Sequence, residues 1–289
     1  MQPNYLQYYI RKKALIFFCI AALSFISCSK DDSAAVAETI ILPKKVISSS
    51  SLGGTSTTII TYDGAKLVEV SNGNDKSKFT YNGDMIVKVQ EFDGSALDGT
   101  TDYVYDNNKL KSALSVETSV NQNTGAVTVI STRRVYTHNA NGTILEESFT
   151  RDPTTGALTF LNNKSTYTFS NGNLVKEVNS RTTTYNNGNT NVTQVYTNTD
   201  TYEYDTKNNP LMNVVGYNKI DFSTSSSKNN ALKETSTSEV TNNGVPSSPQ
   251  TSVSNYIFKY NTNDFLSEQT YTFQTGSGTA TLTTQFFYD

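Results

Sequence analysis

The chain has 289 residues, a formal net charge of -3 and a sequence pI near 5.3. The length allows one or two domains, and the charge removes the simple electrostatic case for nucleic acid. Trp is absent while Tyr reaches 18 and Phe 14; aromatics this regular mark buriable positions and argue against a disordered chain.

The first segment, MQPNYLQYYIRKK, ends in Arg11, Lys12 and Lys13, and ALIFFCIAALSFIS then runs apolar for 14 residues. That is the length of a signal-peptide core and short for a membrane span. The run stops at Cys28. A secretory signal ending in a small residue and Cys, here Ser27-Cys28, resembles the lipobox of bacterial lipoproteins. Phe25 stands where Leu is commoner, as in the looser forms of Bacteroidetes. The resemblance implies that signal peptidase II cuts between Ser27 and Cys28 and that Cys28 is lipidated. Residues 1–27 are then a lipoprotein signal peptide, and several acyl chains hold the protein to a membrane. The alternative is an ordinary signal peptide with an incidental Cys. The cysteine count agrees with lipidation. Of two Cys, Cys19 leaves with the signal and Cys28 carries lipid, so the mature chain has no disulfide and no thiolate ligand.

Residues 28–39 read as a lipidated tether. Ser29, Lys30, Asp31 and Asp32 resemble the signal that sends Bacteroidetes lipoproteins to the outer face of the outer membrane. A plain solvated acidic tether is the competing reading. Asp32-Ser33-Ala34 resembles the O-glycosylation acceptor of that phylum.

From Ile40 the chain becomes strand-like, and one unit recurs: ITYDGAKLVE from Ile60, FTYNGDMIVK from Phe79, YVYDNNKLKS from Tyr103, YTFSNGNLVK from Tyr167, YEYDTKNNPL from Tyr202 and FKYNTNDFLS from Phe258. The aromatics at positions one and three share one face of a strand. Asp or Asn at position four starts a turn, and the Gly or Asn after it tolerates positive φ. The Leu, Ile or Val that follows opens the return strand. Each unit is therefore a β-hairpin, and Tyr62, Tyr81, Tyr105, Tyr204 and Tyr260 are expected as a packed ladder on one sheet face. A copy around His138, VYTHNANGTILEE, is degenerate, and the last is cut to TTQFFYD.

Turns of a second kind mark the opposite strand ends. NQNTGAVT (121–128) is matched by DPTTGALT (152–159), and Asn186-Asn187-Gly188 and Asn242-Asn243-Gly244 do the same later. About seven such units of roughly 20–35 residues fall in the range of repeat architectures. The Tyr-Asp unit resembles the YD repeats of Rhs and teneurin-like proteins. The lipobox, Tyr202 to Pro210 and Tyr260 to Asp264 together resemble a family of Bacteroidetes repeat lipoproteins that implies an address and an all-β fold but no activity. After Pro210 the rhythm lapses, and the insertion at 211–230 is expected to be a loose loop or a binding loop.

The residues for chemistry are sparse. His138 is the only histidine, expected on a solvated turn, and the usual zinc sets cannot be assembled. Glu91, Asp93, Asp98 and Asp102 surround one loop, but not at EF-hand spacing. No catalytic residue, metal ligand or cofactor is assigned. The sequence thus predicts one all-β domain over 40–289, built of antiparallel β-hairpin repeats as a YD-repeat-like meander in an extended or wound sheet. It is expected to act as a lipid-anchored, surface-exposed outer-membrane binding or structural module whose partner is a polysaccharide or an envelope protein. The rival reading is an envelope carbohydrate-active enzyme using paired carboxylates. A transmembrane barrel is disfavoured, because outward faces rich in Thr, Ser, Asn and Lys suit lipid poorly.

Overall fold

The structure, a computed structural model, describes residues 40–120, 127–188, 190–275 and 278–288. The signal peptide and the tether, with Ser27, Cys28, Ser29, Lys30, Asp31, Asp32 and Ser33, lie outside the described residues. The strands are β1 (Pro43–Ser50), β2 (Thr55–Asp63), β3 (Lys66–Asn72), β4 (Asp75–Asn82), β5 (Met85–Asp93), β6 (Ala96–Asp106), β7 (Lys109–Val120), β8 (Val127–His138) and β9 (Ile144–Arg151). They continue as β10 (Leu158–Ser170), β11 (Asn173–Asn186), β12 (Asn191–Tyr204), β13 (Ala231–Asn242), the two-residue β14 (Val245–Pro246), β15 (Gln250–Tyr260), β16 (Leu266–Thr275) and β17 (Gly278–Tyr288).

Each long strand pairs antiparallel with the next, β13 passes on to β15, and β17 returns to β1 with Val46 opposite Phe286. All but β14 thus form a closed 16-stranded barrel. The hairpin repeats are as expected; the extended or wound sheet is corrected to a closed one. The physical reason lies in one extra residue per unit. After each Tyr-Asp turn the register shifts, at Thr61/Tyr62, Thr80/Tyr81, Val104/Tyr105, Glu203/Tyr204 and Lys259/Tyr260. Such bulges add twist and bend the sheet, and repetition at one end curls it until its edges meet.

The bulges also create an unpaired group. Between β5 and β6 the ladder stops at Lys88 opposite Asp102, so Ile86 lies beyond it. The Tyr105 hydroxyl donates to the Ile86 carbonyl at 2.6 Å. Tyr204 donates to Leu174 and Tyr288 to Leu266, both at 2.6 Å, each again just past the last pair between hairpins. Tyr81 works the other way, accepting from the Leu67 amide at 3.0 Å. At Tyr81, Tyr105, Tyr204 and Tyr288 the tyrosine is therefore a staple that joins a hairpin to the one before it, whereas Tyr260 donates to the Asp205 carboxylate. His138 holds the same place in the degenerate unit, with Nε2 2.9 Å from the Leu110 carbonyl. It is not the solvated turn residue expected from the sequence. Phe169 needs no hydroxyl, because there the ladder continues through Tyr167 opposite Ile144.

The apolar residue after each turn points inward beside the staples. Leu67, Ile86, Leu110, Ile144, Leu174 and Leu266 are all buried. Onto them folds the segment between β12 and β13. It was expected to be loose; instead Leu211, Val214 and Tyr217 join the core of Val46, Ile60, Leu67 and Ile86, while Phe222 packs on Tyr136, Tyr167 and Phe169. Its backbone bonds to hairpin turns around the rim: Val215 N–H to Ala65 O at 2.9 Å, Lys228 N–H to Gly172 O at 3.0 Å and Asn208 N–H to Asp264 O at 2.9 Å. Gly216, at φ +75°, passes so close to the Asp84 carbonyl that any Cβ would collide with it. The irregular segment is a plug across the Tyr-Asp end.

If the staple holds this end together, Tyr105→Phe leaves the carbonyl of the fully buried Ile86 without a partner. It should lower unfolding free energy by about 1–2 kcal/mol in urea titration. Tyr185→Phe, at the other end and 47 % exposed, should change it by less than about 0.5 kcal/mol.

Candidate functional site

Register decides which side chains line the barrel. Tyr136 and Tyr167 face the plug, so Glu146 opposite Tyr136 and Glu177 opposite Tyr167 are inward. The same reasoning turns Asp200, opposite Glu177, and Glu234, opposite Tyr202, into the lumen. Glu91 and Glu117, each opposite Gly99, follow. Among the described strand residues, the cations on this face are Arg134 and Arg181. The lumen is therefore acidic. The outer face is balanced, with directly opposed pairs Glu69–Lys78, Lys88–Asp102, Glu147–Lys164, Glu203–Lys233 and Lys259–Glu268 at 2.5–3.8 Å.

The floor of the lumen is the plug with its ring of tyrosines. Burial raises Tyr103 to about 12, against the pull of Arg134. Tyr136, Tyr167 and Tyr202 are pushed up by burial and then by neighbouring carboxylates. These hydroxyls stay neutral donors at any physiological pH. Tyr167 donates to Glu146 Oε2 at 3.2 Å and Tyr256 to Glu234 Oε2 at 3.3 Å. Burial and then the Asp200 carboxylate raise Glu234. Asn198 donates to Asp200 Oδ2 at 2.7 Å, whereas Asp200 Oδ1 is buried with no hydrogen-bond partner among the described residues. Asp221 of the plug accepts from the Ser223 amide at 2.8 Å through one oxygen; the other is buried and unpartnered among the described residues. Burial raises this carboxyl to about 6, outweighing the Ser223 bonds and Arg134.

At the opposite end the inward side chains meet water. Ile130 is 46 % exposed and Tyr196 42 %. Sixteen strands leave a lumen wide enough for water, and among the described residues nothing crosses this end. The described residues form a cup, with the plug as its floor and a mouth that none of them crosses.

The four acids that surround one loop in the sequence do not gather. Glu91 faces the lumen, while Asp102 is outside with Lys88, 3.2 Å away. Among the described residues no group of three or more His, Cys, Asp or Glu could hold a metal ion. Glu91, Glu117, Glu177 and Glu234 were missed by sequence reasoning because the bulge after the turn shifts the alternation on their strands by one residue. Glu146 and Glu147 are adjacent, yet only the first faces in. Counting outward from the staple tyrosine with one residue skipped would have found those four.

Fold and lumen together define a plugged, water-accessible β-barrel. Among solved structures the chain is similar to a porin-like protein from Bacteroides vulgatus at 12 % identity, covering 86 % of this chain and 99 % of that one with a TM-score of 0.51. It is also similar to a porin-like protein from Bacteroides uniformis at 10 % identity, covering 86 % and 98 % with a TM-score of 0.46. At such identity the first comparison shows a shared barrel fold. No family model and no curated protein matches the sequence.

Because the folded chain prefers Asp221 protonated, that group's contribution is full below about pH 4 and is lost as pH rises past about 6. Asp221→Asn keeps the shape without the charge. Its unfolding midpoint should match wild type near pH 4 and exceed it at pH 7.5, by an amount corresponding to at most roughly 3 kcal/mol. Equal midpoints at pH 7.5 would mean that the carboxylate costs the plug nothing.

Proposed function

We propose that this is a lipid-anchored outer-membrane protein of the cell envelope, displayed at the surface, whose barrel is a binding cup rather than a pore through lipid. The observation that carries this reading is the outer face. Its belt of opposed Lys–Glu and Lys–Asp pairs would have to sit in hydrocarbon, where a spanning barrel carries an apolar band. Four of the sixteen barrel strands are also short, β3 with 7 residues and β1, β4 and β9 with 8, where spanning takes about 9–11; the other twelve have 9–14. Anchoring therefore falls to Cys28. Leu42 and Pro43 enter at the plugged end, so the tether joins the floor and leaves the mouth pointing away from the membrane. The porin-like neighbour supports a barrel of the Bacteroides envelope only by analogy of fold.

A ligand enters by the mouth, and its class is a polysaccharide or an envelope protein. A second reading is an enzyme acting on a glycan in the same cup. It is favoured by Glu234, raised by burial beside the Asp200 carboxylate, as a general acid requires. It predicts shortened products from an oligosaccharide and none from Glu234→Gln.

The anchoring test is fractionation of Cys28→Ala. The variant should appear in the soluble envelope fraction without detergent, while wild type stays with membranes. A variant that still needs detergent would mean that the barrel itself is embedded. For surface display, protease applied to intact cells should digest wild type and spare the variant with Lys30, Asp31 and Asp32 changed to Ala.

A further inference from the structure

We infer that the ligand of the cup is an uncharged or amine-bearing pyranose oligosaccharide that docks on the open end of an aromatic stack in the lumen wall; this rests on the cup reading above. Register places Phe258 and Tyr256 on the inner face of β15 and Tyr271 and Phe273 on the inner face of β16. Their rings form one continuous row. Tyr256 and Phe258 lie 15° from parallel with centroids 6.3 Å apart, Tyr256 and Tyr271 31° and 5.1 Å, and Tyr271 and Phe273 19° and 5.6 Å. The first and last pairs are stacked and the middle pair is tilted, with centroid distances in the range of aromatic pairs. At the floor Phe258 meets Tyr260 edge-on at 6.3 Å. Toward the mouth the row stops at Phe273, whose ring contact among the described residues is Tyr271 alone. Opposite it on β17 stands Ala280, so no large side chain of that strand continues the stack.

The next member of such a stack must be flat, with an apolar face and polar edges. A pyranose ring meets this description, because its axial C–H bonds make an apolar face and its equatorial hydroxyls point outward. The hydroxyls need acceptors, and the wall beside the stack is rich in them. The Tyr256 hydroxyl, which donates to Glu234 Oε2 at 3.3 Å, keeps lone pairs to accept from a sugar. The Ser254 hydroxyl, 3.3 Å from that of Tyr271, lies on the same face. Charge selects within the sugars. A lumen whose strand carboxylates outnumber its guanidiniums repels uronic-acid polymers and accepts neutral or aminated ones.

The test uses full-length lipoprotein in detergent micelles, titrated calorimetrically with cellohexaose, mannohexaose, a glucosamine hexamer and hexagalacturonate. At least one of the first three should bind, and hexagalacturonate should not. Phe273→Ala and Tyr271→Ala should each weaken binding at least about tenfold, the scale of one lost aromatic contact. Tyr271→Phe should retain it, and unchanged circular dichroism would show that the variants fold. Binding of none of the sugars, preference for hexagalacturonate, or alanine variants that bind like wild type would overturn the inference. These failures leave the cup standing if Cys28→Ala is soluble; a Cys28→Ala protein that still needs detergent removes the cup itself.

Discussion

The structure depends on a mismatch between two kinds of strand pairing. Within each hairpin the Tyr-Asp turn demands an extra residue, and that residue ends the ladder to the neighbouring hairpin too early. The orphaned carbonyl is buried, and leaving it unmatched would cost about as much as a hydrogen bond. A tyrosine hydroxyl closes the gap at Ile86, Leu174 and Leu266. The side chain is long enough to span two strands and apolar enough to stand in the core while doing so. Where the gap is absent, at Ile144, the position reads Phe169. The repeat is thus the sequence trace of a geometric defect and its repair.

The same device sets the asymmetry of the molecule. All staples and all the bulges after Tyr-Asp turns lie at one end, and the apolar core gathers there. The plug adds Leu211, Val214, Tyr217 and Phe222 to a floor that the hairpins have already prepared. Toward the mouth the strands bury little, and their inner face is free to carry carboxylates, amides and stacked rings. Stability is concentrated in the floor, and the walls carry the lumen's carboxylates and stacked rings. On the outer face, charges directly opposed across strands stabilise each pair only modestly, but they keep the exterior balanced in charge.

The hairpins were legible because their determinants are local. Alternating aromatics, an Asx turn and Asn or Gly in left-handed positions such as Asn107 and Asn108 lie within ten residues of one another. Closure was not legible, since it rests on Val46 meeting Phe286 and on a bend accumulated over many bulges. The plug was hidden for a different reason. Ser225, Ser226 and Ser227 are buried without being apolar, and their burial follows from bonds to the rim, such as the Leu174 amide to Ser227 Oγ at 3.0 Å. A segment whose partners are hairpin turns has no periodicity of its own to read. Glu91, Glu117, Glu177 and Glu234 were concealed by the bulges, which break the alternation that would have assigned them a face.

The pairing of β17 with β1 makes the two ends of the domain neighbours. Until the eleven residues of β17 are present, β1 and β16 each have a bare edge, offering rows of unpaired amides and carbonyls to any other extended chain. A prematurely ended copy is therefore not a slightly smaller cup but a sheet that cannot be sealed. Closure of the ring rests on β17: only a chain that carries it hides the edges of β1 and β16.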